Sequence, residues 1–194
     1  MEYKNVRSAQ VLLDQENPRL PDGTSSDKEA INRLLDDGFE QLIALARDLV
    51  DMGVTNPAEL PILVRAGRKY LVLEGNRRFA AMKLLADPKL ANLPEHQAAF
   101  KRIAERGKPP TTVYSCVAPS REEADHWIML RHTGANNGVG TKRWSAEQTA
   151  THRRRMRATV DTGTLKSITI ADELTEAYQL DEVLVLQPEF VMFG

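Results

Sequence analysis

The residues best spaced for chemistry in this chain are Gly75-Asn76-Arg77-Arg78. They follow the apolar run Tyr70-Leu71-Val72-Leu73-Glu74 and precede Phe79-Ala80-Ala81-Met82-Lys83-Leu84-Leu85, which reads as an amphipathic helix. A strand that hands its end to a helix N-terminus presents unbonded backbone N–H groups and the positive end of a dipole, and both favour an anion. Glycine lets the backbone approach a ligand closely, and guanidinium groups pair with phosphate oxygens. The turn is therefore expected to hold a phosphate on Gly75, Asn76, Arg77 and Arg78. The same residues also fit an ordinary solvated helix start. No Gly-Lys-Ser/Thr follows, so this is not a Walker A loop.

Two candidate catalytic residues stand near this turn or its neighbours. Glu74 directly precedes the glycine, where it could hold a magnesium ion or orient Arg78. His132 borders the Gly134–Gly140 loop beside Asn136 and Asn137, and is a candidate metal ligand or general base in the same cleft. An exposed loop histidine is the plainer reading. Gly134 and Gly140-Thr141-Lys142 have the wrong spacing for a phosphate loop and no strand before them. No nucleophile triad and no carboxylate–histidine spacing of a nuclease metal site is visible, so the metal ligands are left open.

A second cluster is basic. Between positions 141 and 158, Lys142, Arg143, Arg153, Arg154, Arg155 and Arg157 face Glu147 alone, an excess of five positive charges. The whole chain carries a formal net charge of −1, so any attraction to nucleic acid must be local to this stretch. Such a cluster contacts DNA phosphates without reading sequence, or is a solvated helix face. Trp127 is expected in the core and Trp144 beside the basic helix, although either could stack on bases.

The surrounding elements must position these groups. The chain has 194 residues, 42% hydrophobic and 27% charged, the balance of a globular protein with a sizeable core. No apolar run approaches the roughly 18 residues of a membrane span, and Met1-Glu2-Tyr3-Lys4 has no signal-peptide character. The one cysteine, Cys116, excludes an internal disulfide and reads as a small buried hydrophobe, so a cytoplasmic location is expected.

Val6–Leu13 reads as a strand, and Asn17-Pro18-Arg19-Leu20-Pro21-Asp22-Gly23 as a turn-rich loop. Ser26 with Glu29 forms a capping box that opens a helix, Gly38 interrupts it, and Gly53 stops its second half. Pro61–Arg65 and Lys69–Leu73 read as a hairpin around Ala66-Gly67-Arg68. Further helices are expected from Asn76 to about Asp87, from Pro94 to Arg106, and after Ser120, with Ala124, Trp127 and Ile128 facing inward. Thr111–Val117 reads as a strand between the last two. Beyond it come a helix from Ser145 to about Val160 and a helical pair, Ile168–Tyr178 and Asp181–Gln187. The apolar end Val183–Gly194 fits a cut from a longer protein, a surface covered by a partner, or a packed end. Strands and helices mix without strict alternation. The fold class is therefore α+β, a small mixed β-sheet flanked by helices and followed by an all-helical tail. The expected division is a domain at 1–133 and a helical extension at 134–194.

Asn17-Pro18-Arg19, then Met52-Gly53-Val54-Thr55-Asn56-Pro57, Pro61-Ile62-Leu63-Val64-Arg65 and Leu73-Glu74-Gly75-Asn76-Arg77-Arg78-Phe79-Ala80-Ala81 follow one another in a telling order. This succession resembles the N-terminal domain of ParB-like proteins, over about residues 5 to 133. That family's hallmark is a Gly-Glu-Arg-Arg turn ahead of an Arg-Ala helix. The resemblance implies the ParB/sulfiredoxin fold and a nucleoside triphosphate, CTP or ATP with magnesium, bound at the strand-to-helix turn. It also implies closure of Asn17, Pro18 and Arg19 on the nucleotide, and a following helix-turn-helix region that binds DNA. Homodimerisation and further domains C-terminal to the chain belong to the same expectation. The sequence departs from the family at three places. Asn76 stands where the family has glutamate. Met129-Leu130-Arg131-His132-Thr133 stands where a Glu-Asn-x-x-Arg segment supplies a magnesium ligand, and it contains no carboxylate. The turn lacks the cysteine of the sulfiredoxin branch, whose activity is set aside. The expected function is a ParB-like nucleotide-binding domain acting with DNA. The alternatives are an NTP- or metal-dependent nuclease on the same fold, and a non-catalytic interaction module with a degenerate pocket.

Overall fold

Ser8-Ala9-Gln10 form a single 3-10 turn that divides the first apolar run into two strands, β1 (Glu2–Arg7) and β2 (Val11–Leu13). The expectation of one continuous strand over Val6–Leu13 is thereby corrected. The computed structural model describes residues 1–17, 20, 24–134, 138–141 and 143–157, the side chains of 155–157 excepted. Three more strands, β3 (Ile62–Ala66), β4 (Lys69–Glu74) and β5 (Thr112–Ala118), complete a five-stranded sheet of order β1-β5-β3-β4-β2. The turn thus sends β1 and β2 to opposite edges. β1 pairs with β5 and β3 with β4 antiparallel, whereas β2–β4 and β3–β5 are parallel, so the sheet is mixed. The β3–β4 hairpin pairs Ala66 with Lys69 across the two-residue turn Gly67-Arg68.

The helices are α1 (Asp27–Met52), α2 (Asn76–Ala86), α3 (Pro94–Ala104), α4 (Arg121–His132) and α5 (Ala146–Arg157). The Ser26 hydroxyl accepts from the Glu29 N–H at 3.1 Å, as a capping box requires. The returning bond differs: the Glu29 carboxylate accepts from the N–H and hydroxyl of Ser25 rather than from Ser26. Helical dihedrals in α1 break at Gly38, and the helix ends at Gly53 in the left-handed region, φ 66°. α3 ends two residues short of the expected Arg106.

Strand alternation divides the packing. Val6, Leu13, Leu63, Val72, Val113 and Val117 point to one face, where α1, α2 and α3 bury Leu35, Leu42, Phe79, Leu84 and Phe100 against them. Leu73 and Ala118 point to the other face and meet Ala124 of α4, with Ile62, Val64, Leu71 and Ile128 around them. Ala124 and Ile128 face inward as expected. Trp127 does not: its side chain lies on the outer side of α4 and the residue is 54% exposed. Cys116 is buried, with its Sγ 3.5 Å from Met1 Sδ.

The chain divides into two units, Met1–Thr133 and Gly134–Gly194. The sheet and α1–α4 belong to the first. In the second, a reciprocal capping box opens α5: the Gln148 N–H donates to Ser145 Oγ at 3.2 Å, and the Ser145 N–H to Gln148 Oε1 at 3.0 Å. The expected helical pair, the helix-turn-helix region and the apolar end lie outside the described residues. Among the described residues no helix is long and apolar enough to cross a membrane.

Candidate functional site

The chain reverses at Gly75 between β4 and α2 with φ 102°, a conformation that favours glycine. A Cβ there would lie 3.0 Å from Cβ of Pro61, so a side chain would also require Pro61 to shift by a few tenths of an ångström. The Phe79 N–H closes the first bond of α2 on the Gly75 carbonyl at 3.1 Å. The N–H groups of Asn76, Arg77 and Arg78 precede that bond, and Gly75 supplies no side-chain cap. This uncapped end borders a cavity of about 570 Å³, a volume in the range of small-ligand sites. Leu34, Leu45, Leu73, Ile128 and Met129 form its apolar wall. Asn17, Glu59, Glu74, Arg77, Arg78 and His132 form most of its polar wall.

The expected phosphate residues divide here by role. Arg77 lines the cavity and has no carboxylate partner among the described residues. The Asn76 side chain is buried and occupied: Oδ1 accepts from the Asp14 N–H at 2.9 Å and Nδ2 donates to the Leu73 carbonyl at 3.3 Å. It fastens α2 to the end of β2, so only its backbone N–H remains for a ligand. Arg78 also departs from expectation. Its side chain is 9% exposed, and Nη2 already donates to Glu59 Oε2 at 2.9 Å while Nη1 donates to the Glu59 carbonyl at 2.7 Å. Burial pulls this guanidinium below the ordinary arginine range, and the Glu59 charge works in the opposite direction.

Glu74 orients different partners from the one expected. Its Oε2 lies 2.8 Å from His132 Nε2 and its Oε1 3.6 Å from Arg131 Nε, with no hydrogen bond to Arg78. His132 therefore stands in the cleft of Gly75. No group of three metal-ligating side chains occurs among the described residues. Asn17 lines the cavity, whereas Pro18, Arg19, Asn136 and Asn137 lie outside the described residues.

Sequence reasoning missed Glu59 and Arg131. Arg131 Nη2 lies 3.2 Å from Glu59 Oε2, and Nη1 donates to the Leu60 carbonyl at 3.3 Å. A signal for Arg131 exists: it follows Ala124 and Ile128 at helical spacing, on the face that meets the sheet. Glu59 lies in an irregular segment and carries no such signal.

α4 is fixed at its other end by a separate pair. Arg121 donates to both carboxylate oxygens of buried Asp14, at 2.7 and 3.0 Å, and this raises the arginine further. In the second unit, Arg143, Arg153 and Arg154 are exposed, and the Trp144 ring packs on His152 at a centroid distance of 4.8 Å. Lys142 and the side chains of Arg155 and Arg157 lie outside the described residues. No protein-family model matches this chain, and no curated protein matches it in sequence.

Proposed function

We propose that residues 1–133 form a ParB-like nucleotide-binding domain. The observation that carries the reading is the uncapped N-terminus of α2, opening into a cavity of about 570 Å³ beside Arg77. Arg77 and Arg78 line the cavity with Glu59 and Glu74, and Arg131 stands behind both carboxylates and partly neutralises them. The triphosphate of CTP or ATP lies at this end, neutralised by the α2 amides, Arg77 and a magnesium ion. The base lies against the apolar wall of Leu34, Leu45, Ile128 and Met129. Asn17 also stands on the cavity wall. Exposed Arg143, Arg153 and Arg154 support contact between the second unit and DNA phosphates. Calorimetric titration with CTP, ATP and GTP in magnesium tests the nucleotide claim. Saturable binding weakened several-fold by Arg77→Ala is expected, and an intact protein that binds none of the three overturns it.

One observation favours a second reading, a hydrolase that cleaves nucleotide or DNA. His132 and Glu74 form a dyad at 2.8 Å on the cavity wall, the arrangement of a general base held in one tautomer by a carboxylate. Nicking of supercoiled plasmid in magnesium or manganese, abolished by His132→Ala, would support it. No nicking, and no phosphate released from CTP or ATP, by the wild-type chain under either metal removes it.

A further inference from the structure

Glu59 Oε2 sits between two guanidinium groups, 2.9 Å from Arg78 Nη2 and 3.2 Å from Arg131 Nη2. Two cations converging on one acidic oxygen is the geometry of a phosphate seat, and here a carboxylate of the same chain fills it. We infer that Glu59 is a built-in competitor, which a ligand phosphate displaces so that Arg78 and Arg131 bind the phosphate together. The inference rests on the nucleotide reading for the identity of the ligand, though not for the seat itself.

Three features make the carboxylate the exchangeable member. The first is anchoring. Arg78 Nη1 donates to the Glu59 carbonyl and Arg131 Nη1 to the Leu60 carbonyl, so the backbone holds both guanidiniums in place without the Glu59 side chain. The second is exposure. The Glu59 side chain is 49% exposed, against 9% for Arg78 and 29% for Arg131. The carboxylate can turn into water with its charge solvated, whereas Arg78 cannot. The third is charge. Arg78, Arg131, Glu59 and Glu74 form a neutral set when Glu59 is in. Once it leaves, the set is positive by one, with Arg77 and the α2 amides alongside. Burial first, and the charge of Arg131 after it, lower the Arg78 guanidinium, and with Glu59 gone the two cations call for an anion.

The test compares the full-length wild-type chain with Glu59→Gln at fixed ionic strength. Affinities for CTP with magnesium and for inorganic pyrophosphate are measured by calorimetry, alongside ligand-induced shifts in melting temperature. Glu59→Gln keeps shape and removes the competing charge, so both ligands are expected to bind about tenfold more tightly, the scale of one charge-assisted contact. Arg131→Ala is expected to weaken both. If Glu59→Gln unfolds, Glu59→Asp carries the same test, because the shorter side chain withdraws the carboxylate from both guanidiniums. CTP bound equally or more weakly by the Glu59 variant overturns the competitor and leaves the nucleotide reading standing. Pyrophosphate bound more tightly by the variant, with none of CTP, ATP and GTP bound by either protein, supports the seat and overturns the nucleotide reading. Pyrophosphate and all three nucleotides left unbound by both proteins overturns both.

Discussion

Two arginine–carboxylate clusters lie on either side of α4, and they are built in opposite senses. At its N-terminus the acid is buried and the base is wetter: Asp14 has a 3% exposed side chain and Arg121 a 32% exposed one. At its C-terminal end the base is buried and the acid half-exposed, Arg78 at 9% against Glu59 at 49%. The first cluster is closed by Asn76, which accepts from the Asp14 backbone, and by Glu16 at 3.3 Å from Arg121. The second opens onto the cavity. The member in water is the one that can leave, so the first cluster can release only a cation and the second only an anion. The first is a fastening between β2, α2 and α4. The second is a seat whose occupant can exchange.

The sharpest way to break this contrast is Glu59→Ala. It removes the carboxylate from a buried guanidinium, at a cost of about 2–3 kcal/mol, below the ~3–5 kcal/mol of a fully buried broken pair because Glu59 is half-exposed and its backbone carbonyl still accepts from Arg78. Denaturant unfolding should show this loss, and millimolar pyrophosphate should recover most of it. Asp14→Ala leaves Arg121 free to turn into water, so the expected loss is about 1–2 kcal/mol, with no recovery by pyrophosphate. Equal recovery in both variants would erase the distinction between the clusters. Gly75→Ala combines the left-handed backbone with the approach to Pro61, and a loss of about 1 kcal/mol is expected, together with weaker pyrophosphate binding. Arg77→Ala should leave the unfolding free energy within about 0.5 kcal/mol of wild type, because the side chain is paired with no carboxylate among the described residues. Its affinity for the anion should nevertheless fall several-fold by calorimetry, which separates binding from stability.

Much of the fold follows from signals that act over a few residues. Ser26, Ser120 and Ser145 each cap the helix that their spacing to Glu29, Glu123 and Gln148 announces. Gly75 turns the chain between strand and helix because its left-handed backbone favours glycine and a Cβ would crowd Pro61. The errors fall where a local signal is silent about neighbours. An apolar run over Val6–Leu13 gives no hint that its halves join opposite edges of a sheet. Trp127 is apolar and one residue from Ile128, yet α4 meets the sheet through Ala124 and Ile128, and the ring is left outside.

The candidate site was half legible. Glycine, helix start and arginines are consecutive, so an anion-favouring turn could be located from residue types alone. Which of those arginines is free could not. Arg78 meets Glu59 across 19 positions and Glu74 meets His132 across 58, in a cluster drawn from a loop, the end of β4, α2 and α4. Local composition dictates backbone geometry because capping, turn and alternation energies involve near neighbours. Charge pairing depends on distance in space and on burial, and both arise only once the sheet order carries α4 across the end of β4. Residue type placed the turn, and the packed structure decided that Arg77 faces the cavity with no carboxylate partner among the described residues while Arg78 and Arg131 share one.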